Sequence, residues 1–346
     1  MSEPTSSLYR ILDANANRAT EGLRVVEEYV RFVLDDRHLT TLCKQLRHDL
    51  FAALSLLEPA LLLAARDTQA DVGTSIATEA ESHRDDLRAV AAASMKRIEQ
   101  ALRGLEEYGK LVRPDFAHQC EQLRYRAYTL HRAISSTAEN IQRLAAARLY
   151  VLVDGVNSRQ HFEQRIAVLV QAGVHVLQLR DKRLSDRELL DRALLLRRIT
   201  RETATIFIVN DRPDIAALSH ADGVHVGQEE LSVKDARVIV GPEKLVGVST
   251  HSIEQARQAV LDGASYIGCG PTFASGTKKF SSFPGLEFLR DVAKEIRLPA
   301  FAIGGISLEN VDSVLASGTT RIAVSGAIAS AAQPDVVVKE FLAKLV

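Results

Sequence analysis

From about residue 148 onward, short apolar runs rich in Val, Ile and Leu alternate with longer amphipathic stretches, a period-two pattern giving way repeatedly to a helical one. The runs at 149–153, 174–179, 205–209, 223–226, 245–248, 266–269, 299–303 and 320–324 read as eight strands. Roughly 25 residues per strand and crossover is the spacing of a (β/α)8 TIM barrel, and each interval is long enough for a right-handed crossover helix. A doubly wound open sheet is the alternative reading of the same alternation.

Before that point the pattern is helical throughout. Between residues 11 and 34 the apolar positions Ile11, Ala14, Leu23, Val26, Val30 and Val33 recur at helical spacing among Ala, Leu, Glu and Arg, all good helix formers. The segment Asn17-Arg18-Ala19-Thr20-Glu21-Gly22-Leu23-Arg24-Val25-Val26-Glu27-Glu28-Tyr29 aligns with Lys96-Arg97-Ile98-Glu99-Gln100-Ala101-Leu102-Arg103-Gly104-Leu105-Glu106-Glu107-Tyr108. A second echo follows in Gln45-Leu46-Arg47 and Gln122-Leu123-Arg124. Two similar helical hairpins packed as a pseudo-symmetric bundle account for both matches. Glycine usage marks the change of architecture: of 19 glycines only Gly22, Gly73, Gly104 and Gly109 precede Arg148. The expected organisation is therefore an all-α helical-bundle domain at 1–147 followed by an α/β barrel domain at 148–346.

Composition narrows the function. With 46% apolar and 25% charged residues the chain is an ordinary globular sequence, and 43 Lys plus Arg against 44 Asp plus Glu leave no basic excess for nucleic acid or anionic lipid. Cys43, Cys120 and Cys269 are too far apart for a C-x-x-C motif and read as reduced thiols. No basic segment followed by an apolar stretch opens the chain, and the longest apolar run, around residues 59–65, is far too short to span a bilayer. The expectation is a cytoplasmic enzyme acting on small molecules, with no nucleic-acid or membrane partner and room for a homo-oligomer.

In such barrels the active site sits at the C-terminal ends of the strands, and here those ends are polar. Strand two runs into Arg180-Asp181-Lys182, strand three into Asn210-Asp211, strand four into Gly227-Gln228-Glu229-Glu230 and strand five into Ser249-Thr250-His251. Strand six enters a loop of glycine, hydroxyl and lysine residues, and strands seven and eight end in Gly304-Gly305 and Ser325-Gly326. Arg180, Lys182 and Lys278 supply positive charge for phosphate oxygens. Asp211 and Glu230 carry the hard oxygens that Mg2+ prefers, and the glycines with Ser325 offer backbone N–H groups to a second phosphate. His225, between Val224 and Val226, reads as a core or inward-facing histidine rather than a catalyst.

Taken in order, these segments resemble the thiamine-phosphate synthase family over about residues 148–346. The resemblance rests on Gln178-Leu179-Arg180-Asp181-Lys182, Asn210-Asp211, Asp222-Gly223-Val224-His225-Val226-Gly227-Gln228, Gly247-Val248-Ser249, Gly270-Pro271 through Thr277-Lys278, Gly304-Gly305-Ile306 and Val324-Ser325. It implies a Mg2+-dependent barrel that joins 4-amino-2-methyl-5-hydroxymethylpyrimidine diphosphate to 4-methyl-5-(2-phosphoethyl)thiazole, or its carboxylated form, with release of pyrophosphate. By that resemblance the 178–182 segment (Gln178, Leu179, Arg180, Asp181, Lys182) with Asn210, Ser249 and Lys278 binds the pyrimidine diphosphate. Asp211 and Glu230 hold Mg2+, while Ser275, Gly276, Thr277, Gly305, Val324 and Ser325 take the thiazole phosphate. Arg180, Lys182 and Lys278 are the expected catalytic cations. Two departures stand out: the second metal position is usually Asp, and Ala274-Ser275 replaces the usual Pro-Thr.

The first half resembles a helical domain fused ahead of this synthase in some bacteria and linked to phosphorylation of hydroxymethylpyrimidine phosphate. The likeness is carried by residues 15–28, Leu46-Arg47 and the run Arg66-Asp67-Thr68-Gln69-Ala70-Asp71-Val72-Gly73-Thr74. No P-loop or protein-kinase signature is present. Arg18, Glu21, Arg24 and Glu28 share one helical face, and Arg97, Gln100, Arg103 and Glu107 repeat it; the expectation is that the two faces meet in a polar cavity, with Asp67 and Asp71 beside it. Helix-surface ion pairing is the alternative. For the whole chain the competing functions are a thiazole tautomerase on the same barrel and a noncatalytic phosphate-ligand sensor with a helical dimerisation module.

Overall fold

A computed structural model describes residues 3–69, 71–72, 83–155, 158–274 and 283–345. It resolves into two compact units, Met1–Ser135 and Ser136–Val346. No single helix among the described residues is long and apolar enough to cross a membrane.

The first unit is all helical. Helix α1 (Glu3–Tyr29) ends in one π-helical turn, Val30–Leu34, and is followed by α2 (Arg37–Leu54), α3 (Pro59–Ala65), α4 (Leu87–Gly109) and α5 (Pro114–Arg143), the last running beyond the unit. Side chains start two of them: Asp36 accepts from the Leu39 N–H at 2.8 Å and Asp86 from the Ala89 N–H at 2.7 Å, each satisfying a donor that the first turn leaves open. The buried stripe of α1 is Leu12, Ala16, Ala19, Leu23 and Val26, continued by Val30 in the π turn. Ile11 and Ala14 lie at its half-buried flank, and Val33 is 47% exposed because the π turn rotates the chain out of the helical register.

The internal repeat has a physical basis in ion pairs made by two buried glutamates. Glu27 on α1 accepts from the Arg47 guanidinium on α2 at 3.2 Å, and its counterpart Glu106 on α4 accepts from Arg124 on α5 at 2.7 Å. Both echoes in the sequence thus mark one Glu–Arg bridge per hairpin. Among the described residues, the positions named for a polar cavity lie at the surface. Arg18, Glu21, Arg24, Glu28, Arg97, Gln100, Arg103 and Glu107 are all exposed, because the apolar stripe of each helix faces inward and turns these positions to solvent.

The second unit is a closed barrel of eight parallel strands in the order β1 to β8. They are β1 (Leu149–Val153), β2 (Val176–Leu179), β3 (Ile206–Asn210), β4 (Gly223–Val226), β5 (Leu245–Thr250), β6 (Tyr266–Cys269), β7 (Ala300–Ile303) and β8 (Ile322–Val324). All eight expected strands are present. β3 and β5 reach further than their apolar runs, taking in Asn210, Ser249 and Thr250: Asn210 and Ser249 face inward near the mouth, where a polar residue does not end the ladder, and Thr250 Oγ1 donates to the Gly268 carbonyl at 3.1 Å.

Inside the barrel Tyr150, Val176, Ile208, Leu245, Tyr266, Phe301 and Ala323 form the core, joined by Leu144 and Ala147 from the segment that precedes β1. Large and small residues are matched across neighbouring strands. Gly247 is the register partner of Tyr266, and a Cβ at Gly247 would lie 2.2 Å from the tyrosine ring. Glycine at this position is what admits the aromatic ring.

Candidate active site

Above that core a cavity of about 430 Å³ opens at the C-terminal ends of the strands, where barrel active sites are found. Alternation along each strand selects its lining: Leu152 from β1, Gln178 from β2, Asn210 from β3, His225 from β4, Ser249 from β5 and Ile303 from β7. Arg180 enters from just beyond β2 and forms no ion pair with any described residue. A guanidinium that faces a cavity without a carboxylate partner is suited to hold an anion there.

The opposite rim is made of backbone. Gly304 and Gly305 have φ of +102° and +65°, and a Cβ on either would lie 2.7 Å from the chain that follows β6. That close approach is held by the Thr272 N–H donating to the Ile303 carbonyl at 2.8 Å and the Phe273 N–H to the Gly304 carbonyl at 2.9 Å. Gly305, Val324 and Ser325 therefore line the cavity through a rigid glycine turn and the end of β8.

Beside this cavity three of the expected residues meet. The Lys182 ammonium lies 3.2 Å from an Asp211 carboxylate oxygen and 3.8 Å from Glu230. Asp211 adopts φ of +59°, a left-handed conformation that Asp tolerates, and its N–H donates to the His225 carbonyl at 2.8 Å. The Glu230 carboxylate folds back over Gly227, where a Cβ would lie 2.2 Å from Oε2. Its extra methylene relative to Asp is taken up by that fold. Among the described residues no group of three or more His, Cys, Asp or Glu side chains converges on one point.

Not every residue of the 178–182 segment reaches the cavity. Leu179 is fully buried in the barrel wall. The Asp181 side chain is wholly buried and accepts from the N–H groups of Gly155 and Arg183 at 3.0 and 2.9 Å. Burial by itself raises its pKa, but these N–H groups and the Arg183 guanidinium outweigh that and hold the carboxyl below the usual range. It ties the loop after β2 to the loop after β1. Ser275, Gly276, Thr277 and Lys278 lie outside the described residues.

The cavity floor is a chain of polar groups that strand periodicity alone does not reveal. Gln178 Nε2 donates to Tyr150 Oη at 2.9 Å, Tyr150 Oη lies 3.0 Å from Tyr266 Oη, and Tyr266 Oη lies 3.3 Å from His225 Nδ1. His225 Nε2 in turn lies 3.0 Å from Ser249 Oγ. Enclosure, partly offset by Asp211 and reinforced by the Arg180 charge, pushes the His225 imidazole down to about 4, so the ring is neutral near pH 7. The inward-facing reading of His225 is thus correct. Tyr150 and Tyr266 sit within apolar runs and look like core residues in the sequence; His251, which also lines the cavity, stands at a polar strand end.

A closed parallel barrel whose strand ends converge on a cationic, glycine-rimmed cavity belongs to the class of (β/α)8-barrel enzymes. Comparison with known proteins resolves the class further. Residues 149–328 match the family model described as thiamine monophosphate synthase, and residues 10–133 match that of the ThiD2 family. A thiamine-phosphate synthase from Rhodopirellula baltica is 49% identical over 332 residues, 93% of this chain and 88% of the relative. One from Synechocystis is 41% identical over 340 residues, 98% of this chain and 97% of the relative. Among solved structures, a thiamine phosphate pyrophosphorylase from Pyrococcus furiosus superimposes with a TM-score of 0.52 and 32% identity, covering 57% of this chain and 95% of its own. The chain belongs to the thiamine-phosphate synthase family.

Proposed function

We propose that the barrel cavity joins 4-amino-2-methyl-5-hydroxymethylpyrimidine diphosphate to 4-methyl-5-(2-phosphoethyl)thiazole, or its carboxylated form, giving thiamine phosphate and pyrophosphate. The observation that carries this reading is the pairing of two anion-binding features around one cavity: Arg180, which has no ion-pair partner among the described residues, beside the Lys182–Asp211–Glu230 cluster, and the Gly304–Gly305 turn with Ser325 across from it. The first suits a diphosphate, the second a phosphate monoester. In the reaction the bond between the pyrimidine methylene and the diphosphate oxygen breaks, its electron pair leaves with pyrophosphate, and the thiazole nitrogen attacks the methylene. The amino group feeds electron density to that carbon, so no protein nucleophile is required.

Arg180 and Lys182, with Lys278 from outside the described residues, would stabilise the charge that builds on the departing pyrophosphate. Asp211 and Glu230 fit a divalent cation, because their two carboxylates already share one cation, the Lys182 ammonium, and the missing Cβ of Gly227 leaves room for the second carboxylate. Asp211 and Glu230 would hold Mg2+ there, and the chemistry it would supply is neutralisation of charge on the leaving group. Gln178, Asn210 and Ser249 would orient the pyrimidine, and Gly305, Val324 and Ser325, with Ser275, Gly276 and Thr277, the thiazole phosphate. Asp181 supports the reaction by fixing the loop that carries Arg180 and Lys182.

For the helical domain, with its functional boundary near residue 147, the reading is phosphorylation of the pyrimidine monophosphate to the diphosphate. It is supported by the ThiD2 match; within that domain the Arg66-Asp67 segment is held on α1, Arg66 donating two bonds to Asp13 at 2.7 and 2.8 Å, and Arg10 donating to the Asp67 carbonyl at 2.8 Å and lying 3.9 Å from Asp71. Product analysis of the full chain tests both readings. Thiamine phosphate formed from the diphosphate, thiazole phosphate and Mg2+ supports the synthase; none formed overturns it. Thiamine phosphate formed from the monophosphate with ATP supports the kinase, and its absence when the first mixture reacts overturns that part alone.

A further inference from the structure

We propose that Tyr150, Tyr266 and His225 form a one-way hydrogen-bond chain that sets how Gln178 and Ser249 present their polar groups to the cavity, making all three positioning residues. The chain crosses five strands, from Gln178 on β2 through Tyr150 on β1, Tyr266 on β6 and His225 on β4 to Ser249 on β5. Each link allows one donor. The Gln178 amide donates to Tyr150 Oη, so the Tyr150 hydroxyl proton goes to Tyr266 Oη. The Tyr266 proton then goes to His225 Nδ1, which must be the unprotonated nitrogen, and the ring proton on Nε2 goes to Ser249 Oγ. With one lone pair of Ser249 occupied from below, its own proton is left to point into the cavity, toward an acceptor on the substrate.

Packing alone does not require these hydroxyls. Tyr150 and Tyr266 meet Phe301 edge to face, with centroids 5.2 and 5.6 Å apart, and phenylalanine would fill both places as well. Burying two phenolic hydroxyls beneath a substrate cavity is costly unless each is paired, and here each is paired only along the chain among the described residues. The directionality is what the pairing provides: it converts the geometry of β1 and β6 into a fixed donor on β5.

The test has a spectroscopic arm and a kinetic arm; only the kinetic arm rests on the synthase reading. In the full chain labelled with 15N-histidine, His225, assigned by its loss in His225→Asn, is expected as the Nε2–H tautomer. In Tyr266→Phe, where Nδ1 loses its donor, a mixture with the Nδ1–H form is expected. Kinetically, Tyr266→Phe and Tyr150→Phe should each lower kcat/KM for the pyrimidine diphosphate about tenfold, with the KM for thiazole phosphate unchanged. In a Ser249→Ala background Tyr266→Phe should change kcat/KM less than twofold, because its effect passes through Ser249. An Nδ1–H ring in the unmodified chain, an unchanged tautomer in Tyr266→Phe, or an equal loss in both backgrounds overturns the proposal.

Discussion

Gly247→Ala places one methyl group against a ring that has nowhere to go. The added Cβ would lie 2.2, 2.5 and 2.6 Å from three atoms of the Tyr266 ring, so the ring has to retreat by at least about 1.2 Å to reach ordinary contact. Its hydroxyl is held 3.0 Å from Tyr150 and 3.3 Å from His225, and a retreat of that size takes at least one of these beyond hydrogen-bond reach. Overpacking of a filled core costs about 1–3 kcal/mol and a buried hydroxyl left unpaired about 1–3 kcal/mol, so about 3 kcal/mol in all is expected. For a unit the size of this barrel that lowers the melting temperature by about 6–12 °C. Scanning calorimetry of the full chain reads it directly from the barrel transition. The mechanism also predicts coupling: in a Tyr266→Ala background, adding Gly247→Ala should cost less than about 0.5 kcal/mol because the clashing ring is gone. A single variant that melts within about 1 °C of the parent, or a double variant whose losses simply add, would refute the close Gly247–Tyr266 packing.

In the helical unit, Glu106→Ala leaves the 9% exposed Arg124 side chain without its carboxylate, with an expected cost of about 3–5 kcal/mol, whereas Glu27→Ala should cost less because Arg47 is 21% exposed and water replaces the partner; calorimetry that ranks them the other way contradicts this. Burial pushes the thiols of Cys43, Cys120 and Cys269 up to about 12, so at pH 8 a thiol reagent should label none of them in the folded chain and all three in denaturant. The Asp181 carboxyl titrates below its unfolded value, so its contribution to stability is present above about pH 4 and is lost as pH falls through the lower folded value. The gap in melting temperature between the parent and Asp181→Asn should accordingly close in acid, and a gap that widens there would reverse the sign of the argument.

The eight strands, their order of polar ends and the helical first half were legible because each depends on local periodicity. The list Gln178, Arg180, Asn210, Ser249, Gly305 and Ser325 was legible for the same reason: polar residues at the ends of apolar runs collect on one side of a barrel whichever strands they come from. The structural role of Asp181 was not, because it stands in the same short segment as Arg180 and Lys182, and only the loop after β1 turns its carboxylate away from the cavity. The repeated Glu-Glu-Tyr and Leu-Arg segments signalled a duplication, yet the exposed charges on α1 and α4 looked as suited to a polar cavity as to the surface. Which face of each helix is buried settles that, and a π turn after Tyr29 shifted the stripe in a way no 3.6-residue count anticipates.

Sequence by itself determined the fold class and placed the candidate site, with its charged residues, at the strand ends, since patterning and residue type act locally. Tertiary structure alone decided which partners those groups meet. Tyr150 and Tyr266, which the sequence does not single out, pair only when barrel closure brings β1 and β6 within reach, and a histidine between two valines becomes a relay only when Ser249 from β5 arrives at its far nitrogen. A hydrogen bond depends on position to within a few tenths of an ångström and on direction, and across five strands that precision comes from the closed barrel.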